Sequence, residues 1–290
     1  MDPSEIYSQV NKHYSAASHI TSVKYGETVA KSFGYTEEEL ANIPEGANLG
    51  LSCGNPLAIT SLREGETVAD LGSGAGFDVF LAAARIGPNG RAIGIDMSDD
   101  MLARANKIKA DKNADNVTFL KGVIADIPLD SGVADCIISN CVINLVPEQD
   151  KQLVFKEMHR VLKPGGRIAI SDILAKQPLP EKLRNNIAMY VGCIAGASQL
   201  AQYQEYLKVA GFTDVLITDA HADLNVYFET NPDGTKKGDA GASTSSCCAA
   251  SRTACSGTDK GASCVIPPGV SPDTNINEFV GSYKIYAVKN

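Results

Sequence analysis

The chain has 290 residues, 44% hydrophobic and 21% charged, with a formal net charge of −8. That length allows one large domain or two smaller ones, and the acidic balance gives no electrostatic case for binding nucleic acid or an anionic membrane surface. Residues 1–5 lack the basic flank and apolar run of a secretory signal, and no run of about 18 apolar residues exists, so the expected location is the cytoplasm, where the eight cysteines would stay reduced.

Residues 1–60 read as a cap of short helices and loops that carries Cys53. Thr36 followed by Glu37, Glu38 and Glu39 marks a helix start with an acidic first turn. From 61 to 175 strands and helices follow one another. Residues 66–71 are a short apolar run ended by a glycine turn, which suits a buried strand. A helix over 77–86 comes next, and Gly87-Pro88-Asn89-Gly90 breaks the chain before a second strand over 91–96. A helix over 100–112, strands over 116–120 and 134–139, a helix over 151–162 stopped at Lys163-Pro164-Gly165-Gly166, and a fifth strand over 167–173 complete this region. Strict alternation predicts an α/β fold, with a mostly parallel sheet covered on both faces. Residues 176–290 form a smaller C-terminal α+β region, with one helical stretch over 181–210, a strand over 213–219 and a closing strand within 279–288. Residues 229–263 contain no Ile, Leu, Val, Phe, Met, Tyr or Trp, so the stretch 229–264 is expected to be a disordered, cysteine-bearing insertion between two strands.

Asp70-Leu71-Gly72-Ser73-Gly74-Ala75-Gly76 closes the first strand and opens the first helix of the sheet region. Its glycines let the backbone turn sharply and approach a ligand closely. A dinucleotide fingerprint would need glycine at 77, which is Phe77. Asp96 ends the second strand, where an acid can accept both hydroxyls of a ribose. Gly122 and the loop through Ala125-Asp126-Ile127-Pro128 follow the third strand. Together these residues resemble the class I methyltransferase fold, a Rossmann-like architecture that binds S-adenosylmethionine. The resemblance implies that Asp70, Gly72, Ser73, Gly74 and Gly76 face the methionine part of the cofactor. Asp96 and Met97 would hold the ribose, Gly122, Val123 and Ile124 would pack on the adenine side, and Asn140 would complete the cofactor site. A nicotinamide-binding domain, or a glycine turn without a ligand, is the alternative reading.

No general base stands out for the acceptor. His13, His19, His159 and His221 are scattered, and His159 sits on an outer helix. Three cysteines stand out instead. Cys53 precedes the first strand, and Cys141 directly follows the fourth, at the carboxyl end where ligands sit in open parallel sheets. Cys193 lies among small residues. Cys136 alternates with apolar neighbours inside a strand and reads as core. Cys247, Cys248, Cys255 and Cys264, in or beside the insertion, read as parts of a variable loop, the alternative being a capture site for soft metalloids.

Asn48-Leu49-Gly50-Leu51-Ser52-Cys53-Gly54-Asn55-Pro56, Ser139-Asn140-Cys141-Val142-Ile143-Asn144-Leu145 and Gly192-Cys193-Ile194-Ala195-Gly196-Ala197 resemble the three cysteine motifs of arsenite methyltransferases. The resemblance runs from about residue 25 to 215. It implies that Cys141 and Cys193 bind trivalent arsenic, with Cys53 as a third thiolate that also takes part in redox turnover. Arsenite and methylarsenite would be the substrates. Methyl transfer would raise the arsenic to the pentavalent state, neighbouring thiols would reduce it by closing a disulfide, and a thiol reductant, thioredoxin or glutathione, would reopen the pair. A monomer is expected. Many relatives carry a further cysteine nearer the N-terminus, and residues 1–52 have none. The relay would then be shorter, would pair Cys53 with Cys141, or would recruit the insertion cysteines. Two other functions stay open at this level: a methyltransferase acting on a carbon or sulfur acceptor such as a quinone precursor or sterol, and a metalloid-binding protein with little turnover.

Overall fold

The computed structural model describes residues 2–19, 23–230, 235 and 275–290. Helix α1 (Pro3–Ala17) begins at Asp2, whose carboxylate accepts the Ser4 and Glu5 amides, with proline at the first helical position. Helix α2 (Val23–Ser32) follows. Helix α3 (Glu37–Asn42) starts in a reciprocal cap, in which Thr36 accepts the Glu39 amide and the Glu39 carboxylate accepts the Thr36 amide.

The sheet region runs β1 (Thr67–Leu71), α4 (Phe77–Ile86), β2 (Arg91–Asp96), α5 (Asp99–Lys112), β3 (Val117–Lys121), β4 (Ala134–Asn140), α6 (Glu148–Val161) and β5 (Leu162–Ala175). Then come α7 (Glu181–Arg184), α8 (Ile187–Val191), α9 (Leu200–Ala210), β6 (Phe212–Asp219), α10 (Val226–Glu229) and β7 (Val280–Lys289). The seven strands form one sheet in the order β3-β2-β1-β4-β5-β7-β6. The first five run parallel, and β7 pairs antiparallel with both β5 and β6. The chain leaves β1 toward one edge and later returns to lay β4 on its other side. That reversal opens a crevice beyond the carboxyl ends of β1 and β4, the place where such sheets bind ligands.

Both faces are covered. Phe155, Met158, Tyr203 and Leu207 from α6 and α9 pack on one, and Phe80, Ile86 and Ile108 from α4 and α5 pack on the other. A third cluster lies over the carboxyl end of the sheet and joins the cap, through Ile6, Val10, Val29 and Phe33, to the segment after β5. Helix α1 is fastened across that end. Tyr7 donates to Asp150 at 3.1 Å, Asn11 to the Met97 carbonyl at 3.4 Å, and Ser15 bonds Ser98 at 3.0 Å. Arg104 on α5 donates to the Ser18 carbonyl and, at 2.8 Å, to that of Gly46.

Three sequence expectations are corrected. Alternation breaks once, because β3 reaches β4 through a loop without a helix. Arg160 of α6 donates to the carbonyls of Ile127 and Leu129, and its partner Glu157 accepts the Ile127 amide, so this loop meets its backbone hydrogen bonds from a neighbouring helix. The single helix expected over 181–210 is three helices. Asn186 caps α8 by accepting the amides of Ala188 and Met189, and residues 192–199 form a loop before α9. Strand β5 starts at Leu162 and takes in the Pro164-Gly165-Gly166 stop. The insertion expected over 229–264 lies outside the described residues, apart from Glu229 at the end of α10, Thr230 in a bridge and Thr235, and so do all four of its cysteines. No helix among the described residues is long and apolar enough to cross a membrane.

The loop 192–199 is set by close packing. A Cβ on Gly196 would lie 2.0 Å from the Asn144 carbonyl oxygen, whereas one on Gly192 would lie 3.3 Å from its nearest neighbour. Gly196→Ala is therefore expected to cost about 3 kcal/mol, at the upper end of overpacking effects, and Gly192→Ala to stay within about 1 kcal/mol of the parent. Paired urea denaturation curves test this, and equal midpoints for the two variants would refute the packing assignment.

Candidate active site

The crevice is a cavity of about 1060 Å³ including its open mouth. Its floor comes from the β1–α4 turn, with Asp70, Gly72, Ser73 and Gly74. One wall comes from the end of β2 (Asp96 and Met97) and the loop after β3 (Gly122, Val123 and Ile124), and the other from Asn140 and Cys141 at the end of β4. Gly72 has φ +75, and a Cβ there would meet Val142 at 2.4 Å, so only glycine allows the turn to close against the β4 loop. The Asp96 carboxylate accepts the Gly74 amide and the Ser98 amide, both at 2.8 Å, and so fixes the glycine turn to β2.

Ten of the eleven residues expected to touch a cofactor line the cavity. The exception is Gly76, which lies outside the lining and starts α4 at φ +92. A Cβ there would lie 2.7 Å from Phe119 and 2.8 Å from Phe80, so the packing of α4 on β3 requires glycine at this position. Among the lining residues that escaped the sequence reading are Tyr7, Val10 and Tyr14, which α1 presents as a roof. Their spacing of three and four was visible as a helical stripe, but nothing local says what such a stripe covers. Asp78 was also missed. It lines the cavity from the first turn of α4, bonded to Tyr35 at 2.6 Å and Asn140 at 2.9 Å.

Three carboxylates, of which Asp70 and Asp78 are buried, thus face one crevice. Burial and the nearby Asp78 and Asp96 charges push Asp70 well above the ordinary carboxylate range. Burial raises Asp96, and burial lifts Asp78 to about 6 against the opposing hydrogen bonds from Tyr35 and Asn140. Asp70 accepts no hydrogen bond from a described residue. A site of this kind favours a cationic ligand, whose charge relieves the crowding of like charges.

Cys53, Cys136, Cys141 and Cys193 are free and buried. Cys136 lies inside β4 among apolar residues of the sheet's other face. The remaining three converge. The Cys141 thiol neighbours both that of Cys53 and that of Cys193, so the three form a row with Cys141 in the middle and in the cavity wall. Cys53 is held by its amide donating to Asn140 Oδ1 at 3.2 Å and by Ser282 donating to its carbonyl at 2.6 Å, with its Sγ 3.7 Å from the Ser171 carbonyl. The Cys193 thiol donates to the Cys141 carbonyl at 2.7 Å and lies 3.9 Å from the Tyr14 hydroxyl. Cys141 and Cys193 both adopt left-handed backbone, at φ +59 and +64. For residues with a Cβ this is strained, and such strain gathers at functional sites.

Burial pushes Cys53 up to about 12 and Cys141 well above the ordinary thiol range, while its hydrogen bond with Cys141 and then burial do the same for Cys193. All three shifts favour the protonated thiol over the thiolate. A soft electrophile that exchanges thiol protons for bonds to sulfur suits it better than a nucleophilic reaction of one exposed thiolate.

Comparison with known proteins agrees with this architecture. The chain is 45% identical over 210 residues to the arsenite methyltransferase of Halobacterium salinarum, covering 68% of this chain and 53% of that one. It is 35% identical over 189 residues to the human arsenite methyltransferase, covering 61% and 49%, so the chain spans about half the length of these curated relatives. The crystal structure of an arsenic(III) S-adenosylmethionine methyltransferase from Chlamydomonas reinhardtii shares the fold, with a TM-score of 0.56 and 24% identity over 91% of this chain and 73% of that one. The β1–α4 glycine turn, the acid closing β2 and the end of β4 with Asn140 and Cys141 all fall in residues 62–211, which match the family model described as a methyltransferase domain, and the chain belongs to that family.

Proposed function

We propose that the protein transfers the methyl group of S-adenosylmethionine to trivalent arsenic held by the thiols of Cys53, Cys141 and Cys193, giving methylarsenicals. The observation that carries this reading is the shared position of Cys141, which stands in the row of thiols and in the wall of the crevice at once. The curated relatives that bear the name arsenite methyltransferase support the choice of substrate.

The crevice fits the donor. Asp96 keeps acceptor capacity on both oxygens for the ribose hydroxyls, and Asp70 has its full capacity for an ammonium group. When bound, the donor supplies an activated sulfonium methyl. The acids Asp70 and Asp78 stabilise its positive charges, and Tyr7, Val10 and Tyr14 exclude water from above. Arsenite exchanges three hydroxyls for three cysteine sulfurs and releases three waters, which removes the neutral thiols from the balance without a base. The bound arsenic keeps a lone pair, and Cys141 directs it toward the crevice. Methyl transfer raises the arsenic by two oxidation levels. Cys141 can then supply two electrons together with Cys53 or Cys193 by forming a disulfide, and an external thiol reductant of the thioredoxin or glutathione class reopens it.

The direct test incubates the purified chain with arsenite, S-adenosylmethionine and a thiol reductant, followed by chromatographic speciation of the arsenic. Methylated arsenic is expected, and its absence with folded protein sinks the proposal. Cys193→Ser should lower arsenite affinity by more than about 100-fold, beyond the range that outer-shell changes cost, while donor binding measured by calorimetry stays unchanged.

A pH dependence follows from Asp78. Its carboxyl, lifted to about 6, is charged above that pH and neutral below it. Attraction for the cationic donor is therefore present at pH 8 and lost by pH 5, an affinity drop of about tenfold if binding displaces that equilibrium by one pH unit. Asp78→Asn should flatten this profile. A parent profile that is flat across the same range would refute the role of Asp78.

A further inference from the structure

One buried group beside the thiols has no part in the methyl transfer above. Asp172 lies on β5, fully buried, and a carboxylate oxygen of it lies within 4.8 Å of both the Cys53 and the Cys141 sulfur, which are themselves that close. Its oxygens are almost fully engaged. Oδ1 accepts from Asn144 Nδ2 at 3.0 Å and from the Ile173 amide at 2.9 Å, and Oδ2 accepts the Tyr203 hydroxyl at 2.5 Å. A carboxylate offers about four acceptor positions, so one on Oδ2 remains unused among the described residues.

We propose that Cys53, Cys141 and Asp172 form a coordination site for a divalent d10 cation, zinc or cadmium, which overlaps the thiol row but leaves Cys193 out. The donor set is the one such ions take, two soft thiolates with a carboxylate oxygen. In a tetrahedral zinc site, bonds of about 2.0–2.3 Å place ligand atoms roughly 3.5–3.8 Å apart, so separations within 4.8 Å need a contraction of no more than about 1.3 Å. The three residues come from the cap, the end of β4 and the middle of β5, and each is already oriented. Tyr203 and Asn144 hold the carboxylate in the way that outer-shell partners hold metal ligands. The Cys193 thiol is engaged by the Cys141 carbonyl and stands outside the group of three whose ligand atoms all lie within 4.8 Å of one another. Cation entry leads past Cys141, the member in the crevice wall, and the fourth position is open to water from that side. Binding displaces two thiol protons to solvent, and one dication then faces two thiolates and one carboxylate. Trivalent arsenic makes a different choice, because it prefers a third sulfur to the carboxylate.

One consequence rests on the function proposed above: soft divalent cations and arsenite compete for Cys53 and Cys141. Cation binding itself does not depend on that function.

The test uses the full chain with Cys247, Cys248, Cys255 and Cys264 changed to Ser, titrated with cadmium alone and followed by calorimetry and by the ultraviolet charge-transfer band of cadmium–thiolate bonds. One cadmium per chain with the intensity of two thiolates is expected. Asp172→Asn should weaken binding by more than about tenfold, and Cys193→Ser should change neither affinity nor band. Undiminished cadmium affinity in Asp172→Asn overturns the proposal. So does a three-thiolate band that loses one third of its intensity in Cys193→Ser, a measurement that decides the matter even if Asp172→Asn does not fold. Cadmium binding without arsenite binding would sink the proposed methyl acceptor and leave this site standing.

Discussion

The side-chain amide of Asn140, the last residue of β4, joins the cap, the crevice and the thiols. Its nitrogen lies 2.9 to 3.0 Å from the Tyr35 hydroxyl, the Gly54 carbonyl and Asp78, which share its two protons, and its oxygen accepts the Cys53 amide. One partly buried group therefore fixes the loop that carries Cys53, the carboxylate that faces the crevice and the strand end that presents Cys141. Buried amides left unpaired are costly, so each partner holds the others in place. Gly54 allows this approach, since a Cβ on it would lie 2.5 Å from the side chain of Ser171 on β5.

The same end of the sheet concentrates groups that are uncomfortable when buried. Asp70, Asp78 and Asp172 and the three thiols all titrate upward through desolvation, helped for Cys193 by its thiol neighbour. Two of these residues, Cys141 and Cys193, also sit on left-handed backbone. The rest of the fold bears this cost through apolar layers on both faces of a seven-stranded sheet. Ligands relieve it, a cation by meeting the carboxylates and a soft acceptor by replacing thiol protons. Binding and site stability are then aspects of one electrostatic balance.

Much of this was legible from local pattern. Short apolar runs closed by glycine turns gave β1 and β2 within a residue of their observed ends, because a strand buried on both faces has a characteristic composition. Asp96 and the turn from Gly72 to Gly74 were legible because an acid after β2 and positive-φ glycines have few structural substitutes. The misreadings have physical reasons too. Gly76 looks like its neighbours in sequence, yet it meets Phe80 and Phe119 rather than the crevice. The stretch 181–210 is helical in composition, and what breaks it is the demand of Asn144 and Lys151 on the loop after α8. Lys151, itself buried, donates to the Ser198 hydroxyl at 2.8 Å and to the Glu148 carboxylate at 2.9 Å.

The sequence by itself determined the alternating elements, the glycine turn with its acid partner and the identity of three unusual cysteines, since each depends on neighbours a few positions away. Tertiary structure decided what those pieces meet. The row order of the thiols, the roof made by α1, the entry of Asp78 into the crevice and the approach of Asp172 to Cys53 and Cys141 depend on side chains up to 179 positions apart in the chain, Tyr14 and Cys193. Such contacts arise from sheet order and close packing, which no local periodicity encodes.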